Sequence, residues 1–183
     1  LRDMDARRPP LVMLENVPGF VTSRGGKDLE AALEALNDLG YAVDVFVVDA
    51  RHFVPQSRRR VFVIGNRDAH AWVGPTDDAT VPKGPTRPRA VLDFIARHPG
   101  IRWRLRALPD PPTCTSSLSD LLESLPASDS AWWSAERAAY LLSQMSPKHR
   151  AVADSMIAGE DVTHGAVFRR VRSGTTRAEL RTD

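Results

Sequence analysis

The first third of the chain alternates between apolar runs of strand length and one amphipathic segment of helix length. An apolar run over residues 11–14 predicts a short strand that is buried on both faces. Leucines at helical spacing then predict a helix that has Asp28 in its first turn and stops at Gly40. Two β-branched runs, over residues 41–50 and 60–66, predict two further strands.

This order of elements predicts an α/β fold. A strand, a helix and a strand in succession normally form parallel neighbours with a right-handed crossover. The last two strands are joined by a short loop, so we expect them to pair antiparallel at an edge of the sheet. Ligands of such sheets bind at the carboxyl ends of the strands. Glu15 directly follows the first apolar run and is therefore the first candidate for chemistry.

The rest of the chain has a different sequence pattern. Residues 71–89 are rich in proline and lack periodicity, which predicts a linker between a first domain, residues 1–70, and a second domain, residues 90–183. No internal repeat or low-complexity tract interrupts either part.

Within the second domain, the pattern predicts three short helices and a hairpin. One helix follows the linker, the next begins after Ser134, and the third has Ser146 as its cap and Pro147 at its first position. Alternating residues around Ser173-Gly174 predict the hairpin. We expect Trp132-Trp133 to anchor the core of this domain.

The amino-acid composition excludes only a few classes of function. The 183 residues are 42% hydrophobic and 26% charged, as in an ordinary globular protein, and the net charge of +2 favours no partner. The single cysteine excludes an internal disulfide and a multi-cysteine zinc site, and it suits a cytoplasmic location. No apolar run approaches the roughly 18 residues that a membrane span requires. We expect no metal site, because the histidines lie far apart without other ligands.

Two short motifs carry the chemistry. The first is Glu15-Asn16-Val17, at the end of the first strand, and the second is Gln56-Ser57-Arg58-Arg59-Arg60, which opens the third. As an ordered pair with a helix and a strand between them, they resemble the sixth and eighth motifs of the DNA (cytosine-5)-methyltransferase family. The resemblance implies the back half of a Rossmann-like methyltransferase sheet, followed by a mixed, irregular target recognition domain that is incomplete here.

The resemblance also implies roles for individual residues. Methylation of cytosine at C5 begins when a thiolate adds to C6, and the charge that develops on the ring must be absorbed at N3. By resemblance Glu15 supplies that proton, and Arg60, or Arg58, holds the cytosine O2. Asn16 and Gln56 are candidates for substrate binding, although Asn16 more often ties the loop backbone. The base has to leave the duplex to reach such a pocket.

Two features of the family are absent from this sequence. The nucleophilic cysteine of the family stands upstream of Glu-Asn-Val in a Pro-Cys motif, and the glycine-rich loop that binds S-adenosylmethionine stands earlier still. We therefore expect a piece of a longer enzyme that binds double-stranded DNA and transfers no methyl group alone. Its partner would be a missing N-terminal half or a companion subunit. Such enzymes most often serve bacterial restriction–modification.

Other conspicuous residues have simpler interpretations. Strand alternation puts Arg58 and Arg60 on one side and Arg59 on the other, which makes Arg59 a bystander. Cys114 lies after both motifs and has no basic neighbour that would activate it, so we expect a structural role. His52 is more typical of a loop histidine than of a ligand.

The tail combines arginines with small residues, as a loop that approaches DNA would need. We expect Arg169, Arg170 and Arg172 to bind phosphates and Arg177 to read a base. Two alternatives stay open: a DNA-binding module without catalytic activity, and an unrelated Rossmann-like protein with a chance Glu-Asn-Val. The intact arginine motif argues against both.

Overall fold

The computed structural model describes residues 1–67, 81–161 and 163–181. The chain forms two compact units, Leu1–Cys114 and Thr115–Asp183. The first unit contains strands β1 (Leu11–Asn16), β2 (Ala42–Asp49) and β3 (Arg59–Asn66) and helices α1 (Lys27–Asp38) and α2 (Arg89–Arg97). The second contains helices α3 (Ala135–Ser143) and α4 (Pro147–Ala158) and strands β4 (Ala166–Arg172) and β5 (Thr175–Arg181).

The strand order of the first unit differs from the prediction. β3 lies in the middle of a three-stranded sheet, in the order β1-β3-β2, and pairs antiparallel with both neighbours. The prediction that β1 and β2 are parallel neighbours is wrong, although they run in the same direction. The predicted antiparallel pairing of β2 with β3 at a sheet edge is confirmed, because β2 is an edge strand of the described sheet. Gly65 allows this close packing, since a Cβ at this position would come 2.7 Å from Cγ2 of Val12.

Both helices of the first unit cover one face of this sheet. The leucines that predicted α1 are buried as expected, namely Leu29, Leu33 and Leu36. They share a core with valines of β2 and β3 and with Phe94 of α2. Gly40 takes a φ of +90° just after α1, a conformation that glycine adopts without strain.

The described end of the predicted linker and the residues after it, as far as Cys114, belong to the first unit. Arg87 is buried and pairs with Asp44 of β2 at 2.9 Å, and the N–H of Val47 donates to the carbonyl of Thr86 at 2.8 Å. These contacts fasten residues 84–88 to the outer edge of β2. The division between the units therefore follows Cys114, and residues 71–80 of the predicted linker lie outside the described residues.

The second unit confirms two of the three helices predicted for the second domain and the hairpin, whereas the first of these helices, α2, lies in the first unit. Ser134 and Ser146 cap α3 and α4 through their hydroxyl groups, and Pro147 occupies the first position of α4. The hairpin turns at Ser173-Gly174, both with positive φ. The prediction that Trp132-Trp133 anchors the core is wrong, because these side chains are 57% and 45% exposed. None of the helices in the described ranges is long and apolar enough to cross a bilayer.

Candidate active site

The two sequence motifs meet at one end of the three-stranded sheet. β1 and β2 end there and β3 begins there, because β3 runs antiparallel to both. Glu15, Phe62 and Phe46 stand side by side in register across the three strands. The two phenylalanine rings stack with centroids 5.8 Å apart and form an apolar floor beside the carboxylate.

Glu15 and Arg60 form an ion pair at this end of the sheet. Nε of Arg60 lies 2.5 Å from Oε1 of Glu15, and Nη1 of Arg60 donates to the carbonyl of Arg59 at 2.8 Å. The guanidinium is therefore held at two points. The Glu15 side chain is 49% exposed. Apolar side chains therefore cover it on one side only, although it directly follows an apolar run in the sequence.

Asp49, at the end of β2, organises the loop that carries the second motif. Its Oδ1 accepts the N–H groups of Arg58 and Arg51 at 2.8 and 3.2 Å, and its Oδ2 accepts the hydroxyl of Ser57 at 3.1 Å. Burial opposes ionisation of this carboxyl group, but the hydrogen bonds outweigh it and lower the pKa of Asp49. Sequence reasoning missed Asp49. The available signal was an acid at a strand end before an irregular loop, where Asp commonly caps backbone N–H groups.

The lowered pKa predicts that acid loosens this loop. A carboxyl group whose pKa falls on folding stabilises the fold above its ordinary pKa, about 3.9, and that stabilisation is lost as pH falls through the lowered value. The amide signals of Arg51 and Arg58 should therefore shift together below the ordinary range of aspartate in an NMR titration. In Asp49→Asn this joint shift should be absent.

Asp44 serves as the internal reference for that titration. Burial raises the pKa of Asp44, opposed in part by Arg87, so its contribution to stability changes with the opposite sign as pH falls. Loop amides that instead follow the titration of Asp44 would contradict the assignment to Asp49.

The remaining residues of the two sequence motifs lie around the Glu15–Arg60 ion pair. Oδ1 of Asn16 accepts the N–H of Val17 at 2.8 Å, which shapes the turn after β1. Gln56 and Arg58 are exposed in the loop before β3. The structure thus brings Glu15 and Arg60 into direct contact and places Gln56 and Arg58 on the adjoining loop.

The arginine-rich hairpin of the second unit has two different faces. Arg170 and Arg177 are directly opposite each other on one face, which also carries Phe168, Glu179 and Arg181. Arg170 pairs with Glu179 at 3.3 Å, and the guanidinium groups of Arg170 and Arg181 lie 5.2 and 5.7 Å from the ring of Phe168. Of Arg172, only the backbone position in the hairpin is described.

Arg169 points to the other face of the hairpin. Its guanidinium lies 5.9 Å from the ring of Tyr140 in α3, and its cross-strand partner Ala178 is buried. Arg169 therefore lies on the opposite face of the hairpin from Arg170 and Arg177.

Comparison with known proteins identifies the family to which the chain belongs. Residues 1–176 match the family described as C-5 cytosine-specific DNA methylase. The chain belongs to this family. Its α/β first unit and the two motifs at the sheet end are consistent with such a methylase domain.

Individual relatives of this chain agree with the family match. The orphan methyltransferase M.SPBetaI of Bacillus phage SPbeta is 30% identical over 125 residues, which is 65% of this chain and 26% of that protein. The type II methyltransferase M.MspI of Moraxella sp is 37% identical over 73 residues, or 38% of this chain and 18% of that protein. A DNA-cytosine methyltransferase of Escherichia coli is 36% identical over 76 residues, which is 37% of this chain and 16% of that protein. The chain thus spans between 16% and 26% of these three relatives.

The family uses S-adenosylmethionine, and the glycines before α1 test whether this chain could hold it. Glycine-rich turns between a strand and a helix bind many adenosine cofactors. Gly25-Gly26 precedes α1 but follows no strand, and a Cβ at Gly26 would come 3.2 Å from Cε2 of Phe94. Helix packing therefore requires this glycine. This turn does not fit the cofactor, and we assign no binding residue for it within the described chain.

Proposed function

We propose that this methylase chain supplies the cytosine pocket and part of the DNA-binding surface of a DNA (cytosine-5-)-methyltransferase. The observation that carries the proposal is the Glu15–Arg60 ion pair at the carboxyl end of β1, in a chain of this family. A non-catalytic DNA-binding module would have no need of an acid and an arginine held together beside an apolar floor.

The geometry gives each residue of the pair a distinct task. Arg60 is fixed by Glu15 and by the carbonyl of Arg59, so the outer edge of its guanidinium can hold the O2 of a flipped cytosine as a preorganised cation. Glu15 then lies beside N3. When an external thiolate forms a bond to C6, the displaced ring electron pair takes up a proton at N3 from the Glu15 carboxyl group. Glu15 is left as the carboxylate, which Arg60 stabilises.

The pocket would be closed by the cytosine and by the rest of the enzyme. The flipped base would stack near Phe62 and Phe46 and would cover the Glu15 carboxyl group, which is half exposed. Arg58 and Gln56, on the adjoining loop, are the further candidates for contact with the base or its phosphate. S-adenosylmethionine would supply the methyl group from outside this chain.

The outer edge of β1 supports the need for a complementary segment. Within the described residues β1 pairs only with β3, and apolar side chains remain exposed along it, namely Leu11, Met13 and Leu14. An exposed apolar edge strand is a template for another strand. We infer that a further strand of the complete enzyme, from a missing N-terminal half or a companion subunit, pairs with β1 and brings the thiolate and the cofactor.

The hairpin is the proposed contact with double-stranded DNA. Arg170 and Arg177 are directly opposite each other, which destabilises a hairpin, and Glu179 compensates part of the charge by pairing with Arg170. An anion bound between the two arginines would relieve the remaining repulsion. We therefore assign Arg170 and Arg177 to the DNA-facing side, with Arg170 on a phosphate and Arg177 as the candidate for base reading. Arg172 stays a candidate for phosphate contact from the sequence. Arg169, against Tyr140, is the weakest of the four candidates.

Salt titration of DNA binding tests this assignment. In the complete enzyme, Arg170→Ala should reduce the slope of log affinity against log salt by about 0.9 on every duplex, because one phosphate contact is lost. Arg177→Ala should cost roughly 1–3 kcal/mol on the cognate site and little on a scrambled one if it reads guanine. Arg169→Ala is the matched control from the opposite face. Unchanged affinity and slope in both Arg170→Ala and Arg177→Ala would place DNA recognition elsewhere.

Product analysis tests the proposed activity itself. The complete enzyme that contains this chain should convert cytosine to 5-methylcytosine in duplex DNA, measured by mass spectrometry of the nucleosides. DNA binding without 5-methylcytosine would instead support the non-catalytic module.

A further inference from the structure

A second cluster of cationic side chains lies on the opposite face of the sheet from the Glu15–Arg60 pair. Adjacent residues of a strand point to opposite faces, and Arg59 is in register with Asp49 of β2. Arg59, Arg51 and His52 line a pocket of about 200 Å³ together with Asp49. Neither the family motif nor the proposed pocket for cytosine uses any of these three side chains.

Asp49 leaves both arginines of this cluster incompletely paired. Its Oδ2 already accepts the hydroxyl of Ser57, and it lies 3.7 Å from Nε of Arg51 and 3.6 Å from Nε of Arg59. Both separations exceed the length of a hydrogen bond. The guanidinium side chains are 60% and 67% exposed, so their N–H groups are available to an acceptor from solvent.

His52 also lines this pocket, and a hydrogen bond to the backbone holds its ring in place. Its Nδ1 lies 3.1 Å from the carbonyl oxygen of Pro112, and a carbonyl can only accept, so Nδ1 carries the proton. This contact fixes the orientation of the ring. The two arginines outweigh the single carboxylate of Asp49 by one positive charge.

The walls of the pocket are rigid and apolar. Pro85, Pro88 and Pro111 line it. The first two belong to the segment that the Thr86 carbonyl and the buried Arg87 fasten to β2. A rigid pocket with two convergent guanidinium forks matches the geometry of a phosphate group, which arginine binds in a bidentate manner.

We propose that Arg51 and Arg59 form a binding site for a phosphate group, supplied by the backbone of the DNA substrate, in the pocket that His52 also lines. Arg59 is then a phosphate ligand and not the bystander that strand alternation suggested. Asp49 positions the two arginines and leaves their outer N–H groups to the phosphate. The choice of DNA as the source rests on the proposed function, whereas the phosphate chemistry rests on the pocket alone.

Inorganic phosphate added to this chain at constant ionic strength tests the chemistry. The side-chain Nε–H signals of Arg51 and Arg59 should shift in a saturable manner in NMR spectra. Arg89, which is 92% exposed and paired with Asp93 on α2, is the matched control and should shift only as bulk salt dictates. Arg51→Gln should abolish the saturable shift of Arg59. This titration needs neither DNA nor methyl transfer, so its failure is distinct from failure of the proposed function.

The second arm identifies the source of the phosphate. In the complete enzyme, Arg51→Gln and Arg59→Gln should each reduce the salt slope of duplex binding by about 0.9, and Arg89→Gln should not. A reduced slope supports the DNA backbone as the source. Saturable phosphate shifts with an unchanged slope support the site with free phosphate as its ligand. Unshifted Arg51 and Arg59 signals together with an unchanged slope overturn the proposal.

Discussion

Glu15→Gln in the complete enzyme should slow methyl transfer by about 10²- to 10⁴-fold, the usual effect of removing a general acid, and should change DNA affinity little. The amide oxygen can still accept the hydrogen bond from Nε of Arg60, so the pocket keeps its shape. The amide cannot deliver a proton to N3. The measurement is single-turnover formation of 5-methylcytosine at saturating DNA, with affinity measured separately.

Glu34→Gln makes the same chemical change on the exposed side of α1 and is the matched control. Its rate should equal that of the unsubstituted enzyme. If Glu15→Gln also reacts at the normal rate, Glu15 is a structural partner of Arg60 and the proton comes from another group.

Asp44→Ala should destabilise the first unit by about 3–5 kcal/mol, because it leaves the guanidinium of Arg87 buried without its partner. Both side chains are 1% exposed and lie 2.9 Å apart, and Oδ2 of Asp44 also accepts the N–H of Arg106 at 3.2 Å. The loss is a large fraction of the roughly 5–15 kcal/mol that stabilises a typical domain. Urea unfolding of the chain, followed by circular dichroism, measures it.

Asp93→Ala removes an exposed aspartate paired with Arg89 in the same unit and should cost no more than about 1 kcal/mol. The double variant Asp44→Leu with Arg87→Met should recover most of the loss, because an apolar pair of similar size avoids the isolated charge. Equal effects of Asp44→Ala and Asp93→Ala would show that the buried pair contributes no more than a surface one.

The helices, their caps and the hairpin turn could be predicted from the sequence, because interactions between residues close together in the chain determine them. The leucine spacing of α1, the serine caps of α3 and α4 and the turn at Ser173-Gly174 each act within a few residues. The Glu15–Arg60 contact did not follow from spacing, since the two residues meet only through the pairing of β1 with β3. The family resemblance brought these two residues together before the structure did.

Strand order and the extent of the first unit depended on contacts that no local pattern shows. Gly65 lies near the end of β3, as predicted, but only the fold shows that it admits Val12 from β1. The pairing of Asp44 with Arg87 joins β2 to residues that looked like a linker, so the unit extends to Cys114. Asp49 was missed for the same reason, because its three hydrogen bonds come from a loop that folds back onto it.

A double-mutant cycle on the rate of methyl transfer tests most directly whether Glu15 and Arg60 act on cytosine as one unit. The variants are Glu15→Gln, Arg60→Met and the two combined, each measured at saturating DNA in the complete enzyme. Residues that act together in one step are strongly non-additive, so the double variant should be no slower than the slower single variant. Losses that multiply in the double variant, or single variants that react as fast as the unsubstituted enzyme, would contradict a shared role at the base.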